Sequence, residues 1–234
     1  MFKIALSAGH YKHTAGKRCL KILDKKETPE WVLNNRIAEK VEQNLKGYQG
    51  YTLIRVDDPQ GEKPISVEER AVAANKFGAN VYIAIHHNAG INGGNGGGIV
   101  VYTYTKVSPK TEELQKELYT ALIEKTGLKG NRAQPLAKAN LAECRETAMP
   151  AVLLELGFMD SKVDTPIILT ENYATLCAAA ISEVLIKMGG LTKKEEALYR
   201  VQVGAFENLE NAKALVLKLK ECGFEAVIKK EVTK

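Results

Sequence analysis

The stretch NVYIAIHHN, residues 80–88, decides how this chain folds. Its residues Val81 to Ile85 are apolar without a break. A strand wetted on one face alternates apolar and polar residues, so an unbroken run implies cover on both faces. That is a helix-covered strand of a mainly parallel sheet, and near its end stand two adjacent imidazoles, His86 and His87. A second run of the same kind, MPAVLLELGF at 149–158, carries a single carboxylate, Glu155.

Outward from these two strands, helix and strand patterns alternate. Residues 2–6 predict a first strand, 51–57 (YTLIRVD) a second, and 99–104 (IVVYTY) another, this last entered through the glycine-rich NGGNGGG at 92–98, which reads as flexible backbone. Between 31 and 45, apolar Val32, Leu33, Ile37, Val41 and Leu45 recur at helical spacing. Pro29 suits the first turn of that helix, and Gly47 and Gly50 follow its end. The segment 66–78 opens with Ser66 and has Glu69 three residues on, a capping-box arrangement. Residues 111–127 and 172–189 are further amphipathic helices. The alternation predicts an α/β domain with a mainly parallel, helix-covered sheet over residues 1–189. Gly189-Gly190 and the charged LTKKEE suggest a linker at 190–197. The remainder, 198–234, reads as one small β-α-β unit, too short to bury much apolar area by itself.

The balance of 33 basic and 28 acidic residues gives a net charge of +5, compatible with a solvated surface or an anionic polymer. Basic residues are not clustered with aromatics, so nucleic acid is not an expected partner. The apolar run IALSAG at 4–9 is too short for a secretory signal, which needs about 7–15 apolar residues. Nor is there an apolar run of about 18 residues to span a membrane. Synthesis in the cytoplasm without a signal peptide is the expectation. Cys19, Cys144, Cys177 and Cys222 are far apart and predict reduced thiols rather than a disulfide framework.

The four histidines fall in two places, His10 and His13 after the first strand, His86 and His87 near the end of the NVYIAI strand. Open α/β sheets bind ligands at the carboxyl ends of their strands, so His10 and His86–His87 arrive where a site is expected. Glu155 is costly in so apolar a strand unless paired or near a cation, and a general base is the reading that uses it. Glu30 alone reads as a favourable charge at a helix N-terminus.

Together, SAGH (7–10), Glu30 before WVLNNRIA (31–38), AIHHNA (84–89) and PAVLLELGFMD (150–160) resemble the four signature blocks of type 3 N-acetylmuramoyl-L-alanine amidases. The resemblance spans roughly residues 2–188. It implies Zn2+ held by His10, Glu30 and His86, Glu155 as the catalytic base and acid, and His87 outside the metal shell. It implies hydrolysis of the amide between N-acetylmuramic acid and L-alanine of the peptidoglycan stem peptide. Two imidazoles and one carboxylate leave zinc an open position, as in catalytic rather than structural sites. Arg145, in ECRETAMP, resembles a position near the substrate groove. Ser7 and Ala8 depart from the usual Asp-Pro of the first block, which touches the support of the histidine turn. YRVQVGAF (199–206) with the helix after it resembles half of a SPOR-type peptidoglycan-binding repeat, which implies a homodimer pairing two halves. Action on the wall then follows release, through holes made by a second protein or at mother-cell lysis. The competing readings are a zinc carboxypeptidase on wall peptides and a non-catalytic wall-binding protein.

Overall fold

The computed structural model describes residues 1–195 and 199–231. They divide into two compact units, Met1–Lys194 and Glu195–Lys234. In the first, chain order runs β1 (Phe2–Ala8), α1 (Glu30–Leu45), β2 (Tyr48–Gln49), β3 (Tyr51–Arg55), α2 (Val67–Phe77), β4 (Val81–Asn88) and β5 (Ile99–Thr103). It continues with α3 (Pro109–Thr126), β6 (Leu136–Lys138), α4 (Ala142–Arg145), β7 (Ala151–Phe158), α5 (Thr165–Ile168), α6 (Glu171–Gly189) and β8 (Thr192–Lys193).

Six strands form one sheet in the order β3-β1-β4-β7-β5-β6. The unbroken apolar runs take the middle places, β4 and β7, as two-sided burial demands. The β5–β7 pair is antiparallel and the other pairs of this sheet are parallel. Because side chains alternate across a strand, each strand feeds two cores. Ile4, Leu6, Ile83, Ile85, Val152 and Leu154 face α1, α3 and α6. Ala5, Tyr82, Ala84, Ala151 and Leu153 face the other way, with Ala74 of α2 and Cys144 of α4. The alternation carries Ser7, His86 and Glu155 onto this second face at the carboxyl edge.

Local signals in the sequence match local structure. Ser66 and Glu69 form the expected capping box of α2, and Gly78 closes the helix in the left-handed region at φ 67°. The glycine-rich loop differs from its reading as flexible backbone. One Asp160 oxygen accepts the N–H groups of Gly90, Ile91 and Asn92, and Asp164 accepts that of Gly98. A Cβ at Gly97 or Gly98 would collide with Asp164 or with the backbone at Lys129 and Gly130. These glycines permit close approach rather than freedom.

The expected linker is partly structured. Leu191 is buried, and β8 pairs antiparallel with β2, so residues up to Lys194 belong with the first unit. Residues 196–198 and 232–234 lie outside the described residues. In the second unit α7 (Leu209–Glu221) forms, capped by Asn208. The strands expected on either side of α7 are irregular over their described residues. A strand exists through its neighbour's hydrogen bonds, and these two segments supply none to each other.

Candidate metal and catalytic site

Three side chains converge at the carboxyl edge of the sheet. His10 stands just beyond β1, His86 on β4, and Glu30 is the first residue of α1. One ligand atom from each lies within 4.8 Å of the others. The backbone at His10 adopts φ 66°, an uncommon conformation for a residue with a side chain, and strain of this sort gathers at functional positions. Gly9 precedes it, donates its N–H to the Ile85 carbonyl at 2.9 Å, and lies directly under the His86 ring.

Glu30 is almost wholly buried, at 1% exposure. Its Oε1 accepts from the His87 backbone N–H at 3.2 Å and lies 3.1 Å from His86 Nδ1. Its Oε2 faces His10 Nε2 at 3.3 Å yet has no hydrogen-bond partner. Burial drives this carboxyl upward, but the two imidazoles outweigh it and hold Glu30 well below the usual carboxylate range. A buried anion between two imidazoles, with one oxygen unsatisfied, is a donor set suited to a divalent cation. The two rings lie 5.1 Å apart, edge to face. Lys17 Nζ is 3.9 Å from Glu30 Oε2, the nearest ammonium to the cluster given by the ion pairs of the described residues.

Glu155 stands beside His86 in the β4–β7 register. Its Oε2 is enclosed and has no hydrogen-bond partner. Burial pushes its pKa up to about 7; His86 opposes the shift, while Glu30 adds to it. A buried carboxyl with a raised pKa, beside a donor set that could hold a cation, has the properties of a proton carrier.

His87 is turned away from this cluster. Its Nδ1–H donates to Asn34 Oδ1 at 2.8 Å, and burial lowers its pKa to about 3, so it stays neutral. His13 is exposed, with its Nε2 3.9 Å from Glu62. Arg145 is on α4, with its guanidinium on Glu146 (2.7 Å) and Asn140 (2.7 Å) rather than on the cluster. Arg70 is a bracket under the histidine turn, donating to Ser7 Oγ at 2.8 Å, to the Ala8 carbonyl at 2.7 Å and to the His10 carbonyl at 2.8 Å.

One residue of the site escaped the sequence reading. Glu143 of α4 is buried at 4% exposure, and its Oε2 lies 3.3 Å from His86 Nε2. Burial raises its pKa, but His86 and Arg70 prevail and lower it. For His86, burial disfavours the charged ring, and the carboxylates of Glu143 and Glu30 overcome that to raise it to about 10. In so short a helix no periodicity separates buried Glu143 from exposed Glu146 just past its end, so position alone gave no signal.

Comparison with known proteins places the chain in a family. Residues 4–187 match the family described as N-acetylmuramoyl-L-alanine amidase, and residues 195–234 match the SPOR domain. The N-acetylmuramoyl-L-alanine amidase CwlM of Bacillus licheniformis is 28% identical over 228 residues, covering 97% of this chain and 85% of that protein. A sporulation-specific N-acetylmuramoyl-L-alanine amidase of Bacillus subtilis is 30% identical over 182 residues, covering 77% of this chain and 68% of the relative. Among solved structures, an N-acetylmuramoyl-L-alanine amidase from Clostridium difficile 630 superposes with a TM-score of 0.71 at 24% identity, over 80% of this chain and 95% of that one. At that identity the likeness speaks for the fold.

Proposed function

The chain belongs to the N-acetylmuramoyl-L-alanine amidase family and is a peptidoglycan amide hydrolase, and we propose that it works through Zn2+ held by His10, Glu30 and His86, with Glu155 carrying the proton. The observation that carries this reading is the convergence of those three donors at the sheet edge beside the enclosed, unpartnered carboxyl of Glu155.

Zinc bound there supplies a Lewis acid that polarises the scissile carbonyl and acidifies water. Glu155 takes the proton of the attacking water and delivers it to the leaving nitrogen of L-alanine, so that one residue serves as base and then acid. Glu30 offsets the cation's charge in a buried place and bridges both imidazoles. His87, neutral and tied to Asn34 of α1, fixes the strand end on which His86 stands. Arg145, exposed on α4, is available to a stem-peptide carboxylate.

Incubation with purified sacculi, followed by mass analysis of the products, tests this directly. New free amino groups on L-alanine are expected, abolished by a zinc chelator and restored by added zinc. Release of terminal D-alanine in their place would make the protein a carboxypeptidase.

In this reading the unit Met1–Lys194 is the catalytic domain and the unit from Glu195 the wall-binding one. Among the described residues of the second unit α7 buries no side chain, and Val201, Phe206, Leu217, Phe224 and Val227 are exposed. An apolar helix face and unpaired flanking segments favour a second copy of this chain as cover. Sedimentation is expected to give a dimer at micromolar concentration and a monomer for Leu217→Lys. A wild-type monomer that still binds sacculi would defeat the pairing. Among the described residues no helix is long and apolar enough to cross a membrane, and the wall itself is the proposed place of action.

A further inference from the structure

We propose that Glu143 is a positioning residue for the metal site, accepting the Nε2–H of His86 and so directing Nδ1 toward Glu30 and the cation. This rests on the zinc reading above and adds a residue to it. A neutral imidazole carries one N–H, and its tautomer follows the hydrogen bond its other nitrogen makes. His86 has a carboxylate on each side, Glu30 Oε1 at 3.1 Å from Nδ1 and Glu143 Oε2 at 3.3 Å from Nε2. Nδ1 is on the side of Glu30, whose other carboxylate oxygen faces His10. The proton therefore belongs on Nε2, and Glu143 is its acceptor. A carboxylate behind a metal-ligating histidine fixes ring orientation and raises ligand basicity.

The carboxylate is itself held in place. Glu143 Oε1 lies 3.7 Å from Arg70 Nη1 and accepts from Ser7 Oγ at 3.5 Å. The same guanidinium donates to the carbonyls of Ala8 and His10, and its Nε donates to that of Ile65. Arg70 thus couples the turn that bears His10 to the carboxylate behind His86. Both imidazoles share one buried bracket. With Ser7 in the strand, the negative charge that balances Arg70 comes from Glu143 on a different element.

The test is zinc affinity of the full chain by chelator competition, together with 15N spectra of His86, for the wild type, Glu143→Gln, Glu143→Ala and His10→Ala. Wild type is expected to bind zinc with His86 as the Nε2–H tautomer. Glu143→Ala should weaken binding about 10–100-fold. Glu143→Gln should lose less, because its amide oxygen still accepts, and it keeps the test open if the alanine variant does not fold. Wild-type affinity and tautomer in both Glu143 variants would reduce the residue to a counter-ion of Arg70 and overturn the proposal. A wild type that does not bind zinc, or a His10→Ala that binds as well as wild type, overturns the metal reading along with it.

Discussion

Replacing Glu155 by Gln is expected to lower turnover on sacculi by about 10²–10⁴-fold while zinc stays bound, because general acid–base catalysis is what the change removes. The amide keeps the shape of the side chain but neither takes up nor releases the proton. His10, Glu30 and His86 are untouched, so metal content by atomic absorption should match the wild type. Lysis retained at the wild-type rate would remove Glu155 from the mechanism. Loss of zinc together with activity would instead make it part of the metal site.

The same substitution carries a stability signature with a definite sign. In the folded, metal-free protein burial raises the Glu155 pKa from 4.5 to about 7. Between those values the native state keeps a proton that the unfolded state has released. Stability therefore falls as pH rises from 4.5 through about 7, and then levels. The shift corresponds to at most about 3 kcal/mol at pH 8. Glu155→Gln removes that cost, so with chelator present the variant should gain stability relative to wild type at pH 8 but not at pH 4. A cation nearby favours the carboxylate, so the acid limb of kcat/KM for the zinc-loaded enzyme should lie below pH 7. A difference between variant and wild type that does not change with pH would show that Glu155 is ionised throughout.

How much of this was legible beforehand depends on the kind of signal each residue gives. The apolar runs at 81–85 and 151–154 give two-sided strands, and the structure has them in the middle of the sheet. His10 and His86 stand at strand ends, so topology alone brings them together. Glu30 is different. A glutamate after Pro29 at a helix start looks the same whether it faces water or, as here, is buried between two imidazoles. Its place in the reading came from resemblance, not from pattern. Glu143 had no pattern to reveal it, since its burial depends on α4 packing against β7 and against α2, which lies far back along the chain. The strands expected in the second unit illustrate the converse. Sequence supplied β-prone residues, but the described segments make no backbone hydrogen bonds to each other.

Gly9→Ala is expected to cost about 10–100-fold in zinc affinity, comparable to losing an outer partner of a ligand, and activity should fall with it. A Cβ built at Gly9 would lie well under 3.0 Å from Cε1, Nδ1 and Nε2 of His86, nearer than real Cβ atoms come to any neighbour. One side must move. The Gly9 backbone is pinned from both ends, by its N–H on the Ile85 carbonyl at 2.9 Å and by Asn34 Nδ2 donating to its carbonyl at 3.1 Å. The His86 ring is held between Glu30 and Glu143. Retreat of the ring by an ångström or so takes Nδ1 away from the other two donors, and overpacking of this sort costs about 1–3 kcal/mol in stability besides. Gly47→Ala is the control, since a Cβ there meets nothing within 4 Å. It should leave zinc affinity and activity unchanged. Circular dichroism should show both variants folded, which separates a displaced ligand from a lost fold. If Gly9→Ala binds zinc as tightly as wild type, His86 is free to move without cost, and the close fit of β1 against β4 is not what sets the geometry of the site.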